Sequence, residues 1–138
     1  MIIKEGLDII LDEAEKVAQL FRDILAIESE IDRDKEHFWV IGLDVKNRVI
    51  FVELCTLGIL DRNLVHPREV FRLAISRGVA RIIVGHNHPS NDPEPSQEDL
   101  AVTLKLTKAG EILGIALLDH VIIGGKSYVS LAKRGIIV

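Results

Sequence analysis

The run Ala80 to His86, ARIIVGH, constrains the fold more than any other stretch of the chain. Apart from Arg81 and the final His86 it is apolar or glycine, and it is too short for a helix of its own. A strand with one wet face alternates apolar and polar residues. A run without that alternation suits a strand covered on both faces, inside a sheet with helices above and below. The flanking segments fit this. Pro67 to Arg77 has proline in its first turn and Gly78 where a helix can stop. Ser96 suits an N-cap, opening a helix to about Leu113 with Gly114 as terminator.

The other strands follow from their own patterns. HFWVIGLD and RVIFVEL form a hairpin around Lys46 and Asn47, and IALLDHVIIGG and KSYVSL flank a glycine turn. At the N-terminus, within residues 1–30, apolar positions fall at Leu7, Ile10, Leu11, Ala14, Val17, Ala18, Phe21, Ile24 and Leu25. That three-and-four spacing predicts a single long amphipathic helix. The sum is an α/β fold, a mixed β-sheet with helices packed on both sides in three layers. No internal repeat or Gly, Ser or Pro-rich linker divides the chain, so one domain over residues 1–138 is expected.

Charge and cysteine content exclude several functions. The net charge is −4 with no dense basic run, so direct DNA binding by charge is not expected. One cysteine, Cys55, precludes an intramolecular disulfide or a cysteine-rich zinc cluster and suits a reducing interior. The N-terminal segment has charges scattered through it and lacks the unbroken apolar stretch of a signal peptide or membrane span. A soluble, cytoplasmic protein is the expectation.

The chemistry is concentrated in VGHNHPSNDPEPSQEDL, residues 84–100. His86 and His88 are two apart at a strand end, so their rings point the same way and can meet on one ion. Asp99 lies in the first turn of a helix, where the backbone holds it and the helix dipole favours its charge. Two histidines and a carboxylate are a common ligand set for catalytic zinc, leaving a fourth position open. Pro89, Pro93 and Pro95 stiffen the connection. The letters HNH do not make an HNH nuclease, whose residues are spread over a longer unit. A zinc deaminase is excluded because its Pro-Cys-x-x-Cys ligands are missing.

The segment HNHPSNDPEPSQED resembles the JAMM (MPN+) metalloprotease motif: His-x-His-Pro, seven residues counted from that proline, then Ser-x-x-Asp. With Asn87 between the histidines, VHPREVFRLAISRGVARIIVGHNHPS upstream and AGEILGIALLDHVIIGG downstream, it is similar in particular to the RadC-type branch. The likeness covers about residues 36 to 138.

The resemblance implies a zinc ion held by His86, His88 and Asp99, with Ser96 steadying the oxyanion of a tetrahedral intermediate. It implies a peptide or protein substrate, a zinc-bound water activated by a glutamate just ahead of the first sheet strand, and a family association with DNA repair. That position points to Glu36, with Glu53 and Glu69 as rivals. His120, after Asp119 in an apolar strand, suits either a supporting role at the site or a satisfied buried polar pair. His66 suits the start of a helix and His37 an exposed position. Full-length RadC-like proteins carry a helix-hairpin-helix module ahead of the metal domain, and here only one amphipathic helix is seen. A non-catalytic metal-binding or partner-docking domain in DNA metabolism is the alternative to the enzyme.

Overall fold

The computed structural model describes residues 1–58 and 65–137. Along the chain come β1 (Ile2–Glu5), α1 (Ala14–Ile27), α2 (Glu30–Arg33), β2 (Glu36–Leu43) and β3 (Val49–Gly58). There follow α3 (Pro67–Val70), α4 (Arg72–Arg77), β4 (Arg81–Asn87), α5 (Gln97–Leu113), β5 (Ala116–Gly124) and β6 (Ser127–Ser130). The strands form one sheet in the order β1-β3-β2-β4-β5-β6. Strand β4 pairs antiparallel with β2 and parallel with β5, so the apolar run lies inside the sheet as expected. The parallel pair is joined through α5, since a parallel neighbour needs a crossover.

Side-chain alternation along β2 sorts the core into two layers. Trp39, Ile41 and Leu43 pack with Val17, Ala18, Phe21 and Ile24 of α1. Phe38 and Val40 face the opposite way and pack with Phe71, Ala74, Val102 and Leu106 around α3, α4 and α5. Helices on both sheet faces make the three-layer α/β arrangement. Phe21 stacks on Trp39 at 4.9 Å between ring centroids, and its ring sits over Gly85, where any Cβ would come within 2.1 Å of it. The glycine in ARIIVGH is therefore the notch by which α1 docks against β4. No helix among the described residues is long and apolar enough to cross a membrane.

The N-terminal helix is shorter than its periodicity predicts. It starts at Ala14, and Leu7, Ile10 and Leu11 lie outside it. Residues 2–5 form β1 on the edge of β3, and the following segment stays tied to the same region. Gly6 N–H donates to the Ile50 carbonyl, Val49 N–H to Ile9 and Leu11 N–H to Asn47. Without β1 the edge of β3 would leave backbone groups unpaired, and satisfying them outweighs a few residues of helical spacing. The expected helix Pro67–Arg77 is also divided, with the break at buried Phe71. Its end is as predicted, with Gly78 in the left-handed conformation at φ 64°.

Candidate metal centre

Four elements meet at the carboxyl end of β4. Pairing of Phe38 with His86 aligns β2 beside β4, and Glu36, two residues before Phe38, starts β2 on the same face as the histidine. Beyond β4 the chain makes its proline-stiffened loop and then enters α5 through Ser96. The Ser96 side chain accepts from Asp99 N–H at 3.1 Å, and the Asp99 carboxylate accepts from Ser96 N–H at 2.8 Å. This reciprocal capping box holds Asp99 in a single position and satisfies two donors of the helix start.

His86, His88 and Asp99 form a cluster that could hold a metal ion. His86 Nε2 lies 2.9 Å from His88 Nε2 and 3.0 Å from Asp99 Oδ1, and His88 Nε2 lies 3.0 Å from Asp99 Oδ2. A tetrahedral ion with bonds of about 2.0–2.2 Å sets its ligands roughly 3.3 Å apart, so a small outward movement accommodates one. His86 and Asp99 are buried, while His88 is half-buried at the floor of an open cleft.

The hydrogen bonds behind the cluster set the tautomers. The Thr103 hydroxyl donates its one proton to the Asp99 carbonyl at 2.7 Å, so at 2.7 Å from His120 Nδ1 it acts as acceptor. His120 Nδ1 then carries the hydrogen, and Nε2 accepts from His86 Nδ1 at 2.8 Å. That leaves His86 Nε2 with a lone pair facing the cluster. His88 Nδ1 donates to the Asp92 carbonyl at 2.8 Å, which frees its Nε2 in the same way. Two imidazole lone pairs and a carboxylate converging on one point fit a divalent cation.

The electrostatics agree. Burial works to raise the Asp99 pKa, yet His86 and His88, whose rings bond and attract the carboxylate when they carry a second proton, and the Ser96 N–H hold the carboxyl far below its ordinary range. His88 is raised, by its bond to Asp99 first and also by the Asp92 carbonyl and the charges of Asp99 and Glu36, against the opposing effect of burial. His120 is held well below the ordinary histidine value, chiefly by burial and then by His86. It stays neutral, as its place in the chain of hydrogen bonds requires.

A cleft of about 380 Å³ opens in front of the cluster and is lined by Glu36, His88, Pro89, Ser96 and Asp99, among others. Glu36 is thus brought to the site. Its rivals are not among the lining residues. Glu53 is buried mid-way along β3, which runs on to Gly58, with the N-terminal amine and Arg72 each 3.6 Å away. Glu69 pairs with Arg72 at 3.9 Å. Asp119 and His120 part ways. The Asp119 carboxylate accepts from the Ser130 hydroxyl, Ala132 N–H and His120 N–H, bracing β6, whereas His120 supports His86.

His37, expected to be exposed, is buried and stacks on Trp39. His66 caps α3 by position, without a side-chain hydrogen bond. Thr103 was not foreseen. Its trace in the sequence is the four-residue spacing from Asp99, which sets both on one face of α5.

The sequence pattern of the RadC-like JAB domain matches residues 11–136. A protein of Methanococcoides burtonii named "UPF0758 protein" is 46% identical over 133 residues, covering 95% of this chain and 58% of that one. A "UPF0758 protein" of Syntrophomonas wolfei is 47% identical over 128 residues, 93% of this chain and 54% of its own. One from Caldanaerobacter subterraneus is 54% identical over 101 residues, 73% of this chain and 43% of its own. The chain spans about half the length of the curated relatives it matches.

Proposed function

The chain belongs to the RadC-like JAB domain family, and from that premise we propose that it is a zinc-dependent hydrolase of peptide or isopeptide bonds, with Glu36 as its base. The observation that carries this is the convergence of His86 Nε2, His88 Nε2 and an Asp99 oxygen at the floor of a cleft that Glu36 borders. When bound, a zinc ion supplies Lewis acidity, bringing the pKa of a water in its open position towards about 7 and polarising a carbonyl. His86, His88 and Asp99 would hold it; two imidazoles and a carboxylate are a common set for catalytic zinc and also suit iron, so elemental analysis identifies the metal.

The chain's own groups do the rest. Glu36 takes a proton from the attacking water and passes it to the leaving amine. The Ser96 oxygen already accepts from Asp99 N–H, so its hydroxyl proton remains to be donated to the developing oxyanion. A peptide or protein is the substrate, entering by the open cleft. The free thiol of Cys55, raised to about 11 chiefly by burial, suits a reducing cytoplasm. Participation in DNA repair rests on the family association, and the sequence carries no dense basic run to support direct DNA contact.

The test is elemental analysis of protein purified without chelators, followed by peptide and isopeptide cleavage assays. The expected results are about one zinc per chain, loss of that metal in His88→Ala and Asp99→Ala, and loss of cleavage with metal retained in Glu36→Gln. Wild-type protein that is metal-free and cannot be reloaded would sink the proposal. Full cellular function in Glu36→Gln alongside its loss in a ligand variant would favour the non-catalytic metal domain.

A further inference from the structure

We propose that Asn87, the residue between the two histidines, is a positioning residue that holds Glu36 at the rim of the metal cluster. This rests on the role of Glu36 given above. His86 and His88 turn their rings to the α5 side of β4, so Asn87 is directed away from the cluster. Its side chain instead reaches the start of β2. The Oδ1 atom accepts from His37 N–H at 2.6 Å, and Nδ2 donates to the Lys35 carbonyl at 3.0 Å.

These two backbone groups lie on either side of Glu36. The Lys35 carbonyl belongs to the peptide plane entering Glu36, and the His37 N–H to the plane leaving it. Peptide planes are rigid, so only φ and ψ of Glu36 lie between the anchored groups. Pinning both planes to one side chain fixes the direction of the Glu36 Cα–Cβ bond. The backbone ladder between β2 and β4 ends at the pair Phe38 and His86. The amide of Asn87 adds one more rung where that ladder stops.

The chemistry demands this residue type. One partner is a donor and the other an acceptor, which a primary amide matches and a carboxylate or an alkyl group does not. Asn87 is 3% exposed and His37 1%, so losing the bond to Oδ1 leaves the buried His37 N–H unsatisfied. The Lys35 carbonyl also accepts from His37 Nδ1 at 2.8 Å, bracing the same turn from its other side. Because Asn87 is bonded covalently to both His86 and His88, the base is registered to two ligands through a single residue.

The experiment uses the Co²⁺-loaded chain, whose visible spectrum reports the metal site, with acetohydroxamate as probe. A hydroxamate binding a metal transfers its acidic proton to a neighbouring carboxylate, so its affinity reads where Glu36 stands. Wild type, Glu36→Gln, Asn87→Ala, Asn87→Asp and the double variant Glu36→Gln with Asn87→Ala are compared. Glu36→Gln is expected to weaken acetohydroxamate about tenfold to a hundredfold, the loss of one charge-assisted hydrogen bond. Asn87→Ala should weaken it in the same direction with Co²⁺ stoichiometry and spectrum retained. The double variant should be no weaker than Glu36→Gln, because the two changes remove one interaction.

Asn87→Asp keeps the acceptor for His37 N–H and carries the comparison if the alanine variant does not fold. Wild-type affinity in the Asn87 variants, losses that multiply in the double variant, or loss of Co²⁺ on changing Asn87 would each overturn the inference. Those results leave the base role of Glu36 standing. Unchanged affinity in Glu36→Gln with an intact cobalt spectrum removes that role, and the inference with it.

Discussion

His120 Nε2 lies 2.8 Å from His86 Nδ1, with the two rings tilted by 56° and wholly buried. The pair fixes which His86 nitrogen faces the cluster. His120→Ala leaves the His86 N–H without an acceptor in a dry site. Metal affinity should fall about 10–100-fold, as when the partners of other ligating histidines are removed. Thr103→Val acts one bond further back and should shift affinity the same way. Competition with a chromophoric chelator measures both, and wild-type affinity in His120→Ala would contradict the tautomer assignment.

The loop between His88 and Ser96 rests on β5 at Gly124. A Cβ there would lie 2.6 Å from Pro93 N and 2.8 Å from the Asp92 carbonyl carbon. These are backbone atoms in a proline-stiffened loop, and they cannot swing aside as a side chain would. Gly124→Ala should cost about 1–3 kcal/mol of stability. It should also weaken metal binding with every ligand intact, since Asp92 supplies the carbonyl that orients His88. Urea denaturation together with metal titration checks both effects.

Ser96 has two separable tasks. As N-cap it satisfies Asp99 N–H, and Ser96→Ala should destabilise the chain by about 1 kcal/mol, whereas Ser96→Gly should cost only a few tenths. Both variants lack the hydroxyl. Under the proposed mechanism each lowers kcat by roughly 10²–10³. Activity that tracked the stability ranking instead would assign Ser96 to the cap alone.

In chelated protein His88 and His120 act in different pH windows. His88 is raised, so its contribution is fully present below its unfolded value of about 6.5 and is lost as pH rises through the raised folded value. His120 is lowered. Below about 6.5 the unfolded chain takes up a proton that the folded chain refuses, and stability falls with pH down to the folded value. Urea midpoints at about pH 5.5, 6.5 and 7.5 should therefore be highest in the middle. His120→Ala should flatten the acid side only, and an unchanged acid slope in that variant would refute the assignment.

What the sequence determined by itself is the part governed by local rules. Extended backbone brings His86 and His88 to one side, a capping box follows from Ser96 and Asp99 three residues apart, and an unbroken apolar run must be covered twice. Periods, caps and turns are properties of near neighbours, and they survive in the folded chain.

What only the tertiary structure decided depends on groups distant in sequence. Leu7 to Leu11 has helical spacing, yet the open edge of β3 takes that stretch because unpaired backbone there costs more than a few helical residues gain. Glu36, and not Glu53, is brought to the cleft by the pairing of β2 with β4, which no pattern within either strand records. His120 supports His86 across a parallel pair whose register comes from the whole sheet, 34 residues apart along the chain. The residue types of the candidate metal centre and their spacing are local. The side chains that orient them are brought together only by strand register and by the burial that forces each polar atom to find a partner.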